Sequence, residues 1–226
     1  MEKQPELVIK ILKRMSHAGI LDHILLIGSW CTSFYKEYFK GTDYEPIIRT
    51  RDIDFLVRQR FRFPKQVDLA SLMADLGFEL AFVGNSEYMR LESAELMLEF
   101  LVPEVGPAKE KPYLLPDLKF NAQPLRHLSM LWRDPVTVPI SGVKLKVPHP
   151  ADYCLHKLII FSRRGNPDKK KKDLQSSLQV LDSLLEQEGS INLKKAFTVL
   201  NRNEKKDILK ALNNNDRKEL SLSLAD

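Results

Sequence analysis

Cysteine is scarce in this chain, and long apolar runs are missing. Only Cys31 and Cys154 occur among the 226 residues, far apart, so a disulfide framework is not predicted and a cytoplasmic location is the default expectation. No segment approaches the roughly 20 apolar residues that a membrane span needs, and the first residues lack the apolar core of a signal peptide. The sequence therefore predicts a globular protein without a membrane partner.

Histidine is also rare, and the five histidines lack metal-ligand spacing with one another or with the cysteines, which argues against a zinc site.

What the chain does have is enough apolar residues for a core. Hydrophobic residues make up 43% of it, which suits one large domain or two small ones. The net charge of +5 is compatible with a phosphate-rich partner without requiring one.

The first informative element is an apolar run that ends in Gly-Ser. Residues 24–27 are short, apolar and partly β-branched, which predicts a buried strand entering a turn at Gly28 and Ser29. Residues 30–38 then predict a helix capped by Ser29. The N–H groups and the dipole at such a helix N-terminus favour an anion such as a phosphate.

The second element carries two acidic residues two positions apart. Ile53, Phe55 and Val57 alternate with Asp52 and Asp54, the period of two that is typical of a strand. The two carboxylates then project from one face, about 7 Å apart along the strand. They repel each other unless a cation lies between them, and hard oxygen ligands suit Mg²⁺. Taken alone, the pair also fits solvent-facing acids on an edge strand, but both elements together predict metal-dependent chemistry on a nucleotide.

A third acidic residue, Glu99, lies inside the apolar run of residues 96–102. A charge in such a run is costly unless it is paired or bound to a metal. Glu99 is therefore a candidate metal ligand. The alternatives are that it points to solvent from a half-buried strand or pairs with an arginine.

The remaining pattern predicts an α/β (α+β) chain, in which a mixed sheet with flanking helices is followed by a helical C-terminal domain. We predict a domain boundary between residues 148 and 149, giving domains 1–148 and 149–226. The predicted elements are a helix over the first twenty residues, a helix at 64–76, strands at 78–83 and 88–91 around a Gly84-Asn85 turn, a strand at 95–102, a hairpin of 136–140 and 143–147, and helices at 151–162, 173–188, 192–200 and 205–212.

The order of these motifs resembles the nucleotidyltransferase (polymerase-beta-like) superfamily. Gly28-Ser29 follows one strand, Asp52-x-Asp54 lies on the next, and Glu99 lies on a later one. The bacterial abortive-infection, toxin-type subgroup is the most similar. Its motif Arg-x-Thr-x-Asp-Ile-Asp resembles residues 49–54, although here the spacing before the first Asp is shorter.

A second signature of that subgroup is a Lys near the start of a helix, then an Arg, then Lys-Asp. It is similar to Lys157, Arg163 or Arg164, and Lys172-Asp173, and the resemblance covers roughly residues 20 to 182. From the residues alone, Lys157 on an apolar helix can extend to solvent or reach a phosphate, and the lysines of 169–172 fit a solvated loop. The resemblance favours nucleotide binding by Gly28, Ser29, Lys157, Arg164, Lys172 and Asp173.

The resemblance implies transfer of a nucleoside monophosphate from a nucleoside triphosphate to a hydroxyl, with two Mg²⁺ ions. Asp52 and Asp54 would bridge the ions, and Glu99 would complete the site and is a candidate base. The acceptor stays open between an RNA end, a small molecule and a protein, because the C-terminal basic residues are dispersed and nearly free of aromatics. Toxin-type relatives also imply a possible antitoxin protein as partner.

Two other classes of function remain open. One is a catalytically silent nucleotidyltransferase-like module that binds nucleotide or a partner protein, and it would be favoured if Glu99 faced away from Asp52 and Asp54. The other is the antidote half of a toxin pair, which predicts a large exposed apolar patch on the helical domain.

Overall fold

The structure is a computed structural model that describes residues 3–46, 50–84, 86–106 and 111–225. The chain divides into two compact units. The first comprises the described residues of 1–37 and 48–148, and the second those of 38–47 and 149–226. The described residues 38–46 thus belong to the second unit, whereas the predicted boundary lies between residues 148 and 149.

The first unit is built around a mixed sheet of seven strands. Five of them lie in the order β1-β2-β5-β4-β3, and β7 pairs with both β5 and β6. The β2–β5 and β5–β7 pairs are parallel, and the other pairs are antiparallel. The strands are β1 (Ile24–Ile27), β2 (Asp52–Val57), β3 (Glu79–Phe82), β4 (Met89–Glu92), β5 (Met97–Pro103), β6 (Tyr113–Leu115) and β7 (Phe120–Leu125), and a separate hairpin is formed by β8 (Val136–Ile140) and β9 (Val143–Val147).

Three helices begin in this part of the chain, namely α1 (Lys3–His17), α2 (Trp30–Tyr38) and α3 (Leu69–Met73). The amphipathic α1 buries one stripe, in which Val8, Ile11, Leu12 and Met15 are at most 1% exposed. One face of the central strands is aromatic. The rings of Phe55 and Phe100 lie 5.5 Å apart, which places the core on that face of β2 and β5.

The second unit is helical. Its helices are α4 (Pro150–Arg163), α5 (Pro167–Glu188), α6 (Ile191–Thr198), α7 (Arg202–Asn213) and α8 (Lys218–Ala225). The first ten residues of α4 are all buried, so this helix forms the centre of the unit. The prediction of a mixed α/β fold with a helical C-terminal part is confirmed.

Several predicted boundaries are wrong, for local reasons. The helix predicted at 173–188 begins at Pro167, because the Asn166 side chain caps it by accepting a hydrogen bond from the N–H of Lys169 (3.0 Å) and proline suits the first helical position. The helix predicted at 64–76 starts only at Leu69, where Asp68 is the cap, and it continues as a 3₁₀ turn. The helix α8 was not predicted.

Two of the predicted features include residues outside the described part of the chain. The predicted Gly84-Asn85 turn includes Asn85, which lies outside the described residues, as does Arg49 of the proposed metal motif. In the described part of the chain, no helix is both long enough and apolar enough to cross a membrane.

Candidate active site

The predicted acidic residues meet across two neighbouring strands of the sheet. Asp54 on β2 is in register with Glu99 on β5, and on its other side it is opposite Ile27 at the end of β1. Residues in register on neighbouring strands point to the same face, with the strands about 4.8 Å apart. Asp52 lies two residues before Asp54 and shares this face. The sheet therefore presents three carboxylates on one face.

This face is the more exposed one. Asp52, Asp54 and Glu99 are half-buried, whereas their chain neighbours Ile53 and Leu98, which point to the other face, are buried. The alternative in which Glu99 faces away from the two aspartates is excluded by the register. The alternation of acidic and apolar residues in the sequence thus becomes an acidic face and an apolar face in the sheet.

Gly28 makes a very close approach to this acidic face. Its φ is +72°, and a Cβ built on it would lie 2.1 Å from Oδ2 of Asp54. Any side chain at position 28 would therefore have to displace the carboxylate, besides adopting a backbone conformation that L-residues avoid. Glycine at position 28 therefore lets the backbone after β1 lie against Asp54 without displacing its carboxylate.

The helix α2 starts immediately after this turn. The carbonyl of Ser29 accepts hydrogen bonds from the hydroxyl of Thr32 (2.7 Å) and from its N–H (3.3 Å), which fixes the first turn of the helix. The large ring of Trp30 is 3% exposed and packs into the core, so it does not narrow the space in front of Gly28 and Ser29.

Arg51 is a residue of this region that sequence analysis did not single out. Its guanidinium donates hydrogen bonds to the carbonyls of Ser93 and Ala94 (both 3.0 Å) and Glu95 (3.3 Å), and its own carbonyl accepts from the N–H of Met97 (2.8 Å). Arg51 therefore ties the start of β2 to the turn before β5. These hydrogen bonds help to set the register that places Asp54 opposite Glu99. In the sequence, the only sign of this role of Arg51 is its position next to Asp52.

The carboxylates fit a magnesium site of the kind that is completed by substrate. Within the described ranges, no three His, Cys, Asp or Glu side chains are grouped closely enough to hold a metal ion among themselves. Mg²⁺ is commonly bound by one or two carboxylates together with water and substrate phosphates rather than by a cage made only of protein. Asp52, Asp54 and Glu99 carry such oxygens, and their role as metal ligands stays a prediction.

The second set of predicted site residues forms an ion-pair cluster in the helical unit. The ammonium of Lys157 on α4 donates to Oδ1 of Asp173 on α5 (2.7 Å), and Nε of Arg164 donates to Oδ2 of the same carboxylate (2.6 Å). The side chains of Lys157 and Asp173 are 10% and 6% exposed, whereas that of Arg164 is 37% exposed. The cluster carries one net positive charge.

The pKa of Asp173 reflects this environment. Burial raises the pKa, but the neighbouring charges of Lys157 and Arg164 lower it, and the net result is a pKa below the ordinary value. The carboxylate is therefore ionised at neutral pH and holds both cations. Lys172, the remaining predicted residue, is half-buried on α5, and Arg163 instead pairs with Asp207 on α7 (2.8 Å).

A comparison with protein-family models matches residues 6–201 to a family described as nucleotidyltransferase. Because the match covers most of the chain, the protein belongs to the nucleotidyltransferase family, and the resemblance seen in the sequence is confirmed at this level. Closeness to the toxin-type subgroup is not shown. A search of curated protein sequences found no match.

Solved structures give weaker similarities. An antigenic nucleotidyltransferase-like protein from Paracoccidioides brasiliensis is 15% identical, with 93% of each chain covered and a TM-score of 0.45. ANT(2″)-Ia in complex with adenylyl-2″-tobramycin is 11% identical, with 86% of this chain and 97% of that chain covered and a TM-score of 0.49. Because these values are low, the family assignment rests on the family model.

Proposed function

We propose that this protein transfers a nucleoside monophosphate from a nucleoside triphosphate to a hydroxyl of an acceptor, in a Mg²⁺-dependent reaction. The observation that supports this most is the position of Asp54, which lies between the close-approaching Gly28 and its register partner Glu99. Membership in the nucleotidyltransferase family agrees with this type of reaction.

Each predicted site residue of the first unit has a proposed role. Asp52 and Asp54 would hold Mg²⁺, and the resemblance implies two ions. When bound, the metal neutralises charge on the triphosphate and makes a nearby hydroxyl more acidic. Gly28 allows the backbone to approach the triphosphate, and Ser29 at the start of α2 donates a hydrogen bond to it.

The transfer step then needs a base and a leaving group. The acceptor hydroxyl oxygen forms a bond to the α-phosphorus, the bond from that phosphorus to the bridging oxygen breaks, and pyrophosphate leaves. Glu99 takes the proton of the hydroxyl. Glu99 as a residue is half-buried rather than buried, which is compatible with this role.

The nucleotide contacts of the helical unit also belong to this proposal. Arg164 is the strongest candidate, because 37% of its side chain is exposed and Nε is the atom bonded to Asp173. Lys157, Lys172 and Asp173 stay predicted nucleotide-binding residues, and Lys157 and Asp173 act at least in part by holding Arg164 in position. An antitoxin partner and a cytoplasmic location also stay predictions.

A transfer assay tests this proposal. The protein is incubated with each of the four nucleoside triphosphates, labelled at the α-phosphate, with Mg²⁺ and with cellular RNA, an aminoglycoside mixture or protein as acceptor. We expect label to enter one acceptor class together with pyrophosphate release, and we expect Asp54→Asn to abolish both. Asp22→Asn is a matched control, because Asp22 is an exposed aspartate outside the acidic face.

The alternative function is a silent module that binds nucleotide or a partner protein without transferring it. Nucleotide binding without label transfer to any acceptor would favour it. The register of Asp54 with Glu99 supports the enzyme, because it brings a third carboxylate to the face that carries Asp52 and Asp54. Arg90 on β4 is in register with Glu99 on its other side, as a binding module with a structural ion pair would also have it.

A further inference from the structure

The helix α7 has a basic face for which the proposed transfer reaction gives no role. Arg202, Lys206 and Lys210 follow one another at intervals of four residues, so they lie along one side of the helix and are exposed. The opposite side packs into the unit, with Ile208, Ala211 and Leu212 at most 2% exposed. Sequence analysis treated these basic residues as dispersed, whereas the helix gathers them on one face.

The charges on this face are not neutralised locally. The acidic residues of α7 are used elsewhere, because Asp207 accepts two hydrogen bonds from Arg163 (3.0 and 2.8 Å) and Glu204 closes a capping box with Asn201. In the part of the chain that the structure describes, Lys206 and Lys210 form no ion pair.

A shallow, open surface depression of about 960 Å³ lies along the basic face, and all the residues that line it belong to the stretch 200–214. We call it the basic groove; it is lined by Arg202, Lys205, Lys206 and Lys210, by three asparagines including Asn213 and Asn214, and by two leucines. No acidic residue lines it. The ammonium of Lys205 lies 5.5 Å from the ring centre of Phe197, which holds this lysine at the edge of the groove.

We propose that the basic groove binds an RNA strand through its phosphate backbone. The proposal rests on the proposed function, because it names RNA as the acceptor class. Cations on successive turns lie about 6 Å apart along the helix axis, so they can contact several phosphates of one polymer. The asparagine amides can bond to 2′-hydroxyl groups, which distinguish RNA from DNA.

A membrane surface fits the basic groove less well than RNA. Interfacial helices insert aromatic and leucine side chains on the side opposite to their charges. Residues 202–214 contain no aromatic residue, and the apolar side of α7 is already buried in its own unit. The apolar contact needed for insertion is therefore occupied.

The test is a binding titration without nucleoside triphosphate. A fluorescein-labelled RNA stem-loop with a single-stranded tail is titrated with the full-length protein at several salt concentrations. We expect Lys206→Ala/Lys210→Ala to weaken binding about tenfold or more near 0.1 M salt and to lower the slope of log K against log salt by about two. Lys10→Ala/Lys13→Ala is the matched control, because both residues are exposed on α1, and it should leave the slope unchanged.

Three results would overturn the proposal. The first is an unchanged salt slope in the α7 variant. The second is binding of a DNA strand of the same sequence as tightly as the RNA. The third is displacement of the RNA by polyglutamate as effectively as by unlabelled RNA. Replacing Asn213 by Ala is expected to reduce the preference for RNA over DNA without changing the slope.

The RNA titration tests the groove and the transfer assay tests the proposed reaction, so a negative result in one can be told apart from a negative result in the other. Loss of both RNA binding and label transfer to RNA on α7 substitution, with nucleotide binding kept, would support the groove as the place where the acceptor binds. Label transfer to a small molecule and never to RNA would overturn RNA as the acceptor. Failure of RNA to bind would overturn the groove and leave the transfer reaction intact. RNA binding with no transfer to any acceptor would contradict the proposed function alone.

Discussion

At the scale of single residues, Gly28 differs from the other glycines of the chain, because another side chain occupies the space that its Cβ would fill. Its backbone lies in the left-handed region, and the space that a Cβ would fill is occupied by the carboxylate of Asp54. The close approach of backbone to carboxylate explains why a glycine follows the strand here. The approach of a triphosphate to Gly28 stays a prediction, and the structure shows that this glycine leaves room for the carboxylate of Asp54.

Replacing Gly28 by Ala should therefore cost more than backbone strain. We expect a loss of about 1–2 kcal/mol in the free energy of unfolding from the positive φ, and a loss of nucleotide binding because Asp54 is displaced. Urea unfolding and calorimetric titration with nucleoside triphosphate measure the two effects.

Gly19 provides the matched control for this substitution. Its φ is +71°, close to that of Gly28, and a Cβ there would meet nothing within 4 Å. Gly19→Ala should lose similar stability and keep nucleotide binding. Equal nucleotide binding by the two variants would contradict the role assigned to the contact between Gly28 and Asp54.

Asp173 is the second residue for which a sharp expectation follows. Asp173→Asn leaves the buried ammonium of Lys157 without its counter-charge, and breaking such a buried pair typically costs about 3–5 kcal/mol of unfolding free energy. The matched change Asp182→Asn removes an exposed pair with Arg217 and should cost less than about 1 kcal/mol. Chemical unfolding of the two variants at neutral pH measures this difference, and equal costs would contradict it.

The pH dependence of this pair has a definite sign. Because the pKa of Asp173 is lowered in the folded state, its stabilisation is present above the unfolded pKa of about 3.9 and is lost as the pH falls through the lower folded value. The gap in unfolding free energy between wild type and Asp173→Asn should stay constant from about pH 7 to pH 5 and narrow below about pH 4. A gap that narrows already between pH 7 and pH 5 would show that another group is responsible.

At the scale of elements, the pairing of β2 with β5 is what creates the acidic face. A shift of one residue between these strands would put Leu98 beside Asp54 and turn Glu99 toward the aromatic core around Phe55 and Phe100. Arg51 opposes such a shift by its hydrogen bonds to residues 93–95.

We therefore expect Arg51→Ala to lower the transfer rate without unfolding the protein. Its hydrogen bonds are at the surface, so the loss of stability should be about 1 kcal/mol, while hydrogen exchange at residues 93–97 should increase. Arg62→Ala is the control, because Arg62 is an exposed arginine whose Nη1 lies 3.8 Å from Oδ1 of Asp117, away from residues 93–97 in the sequence. Unchanged exchange at residues 93–97 in Arg51→Ala would contradict the role given to Arg51.

At the scale of the whole molecule, the parts that were predictable are those governed by local pattern. The bounds of β1, α2 and the β8–β9 hairpin follow from apolar runs and turn residues, and the structure has them as predicted. The register of Asp54 with Glu99 depends on pairing between strands that are distant in the chain, so the sequence only suggested it. The nucleotide-binding roles of Lys157 and Asp173 stay predictions from family spacing, and their mutual ion pair could not be predicted because spacing does not reveal which charges meet after folding.

The central claim is that Asp54 belongs to a metal-dependent nucleotide site, and calorimetric titration tests it most directly. Wild type, Asp54→Asn and Asp22→Asn are titrated with each of the four ribonucleoside triphosphates, with and without Mg²⁺. Our account predicts that one or more triphosphates bind to wild type and Asp22→Asn only when Mg²⁺ is present, and that Asp54→Asn does not bind them although it remains at least nearly as stable as wild type, because carboxylate repulsion is relieved. Equal binding by Asp54→Asn, or no binding of any triphosphate to wild type, would contradict it.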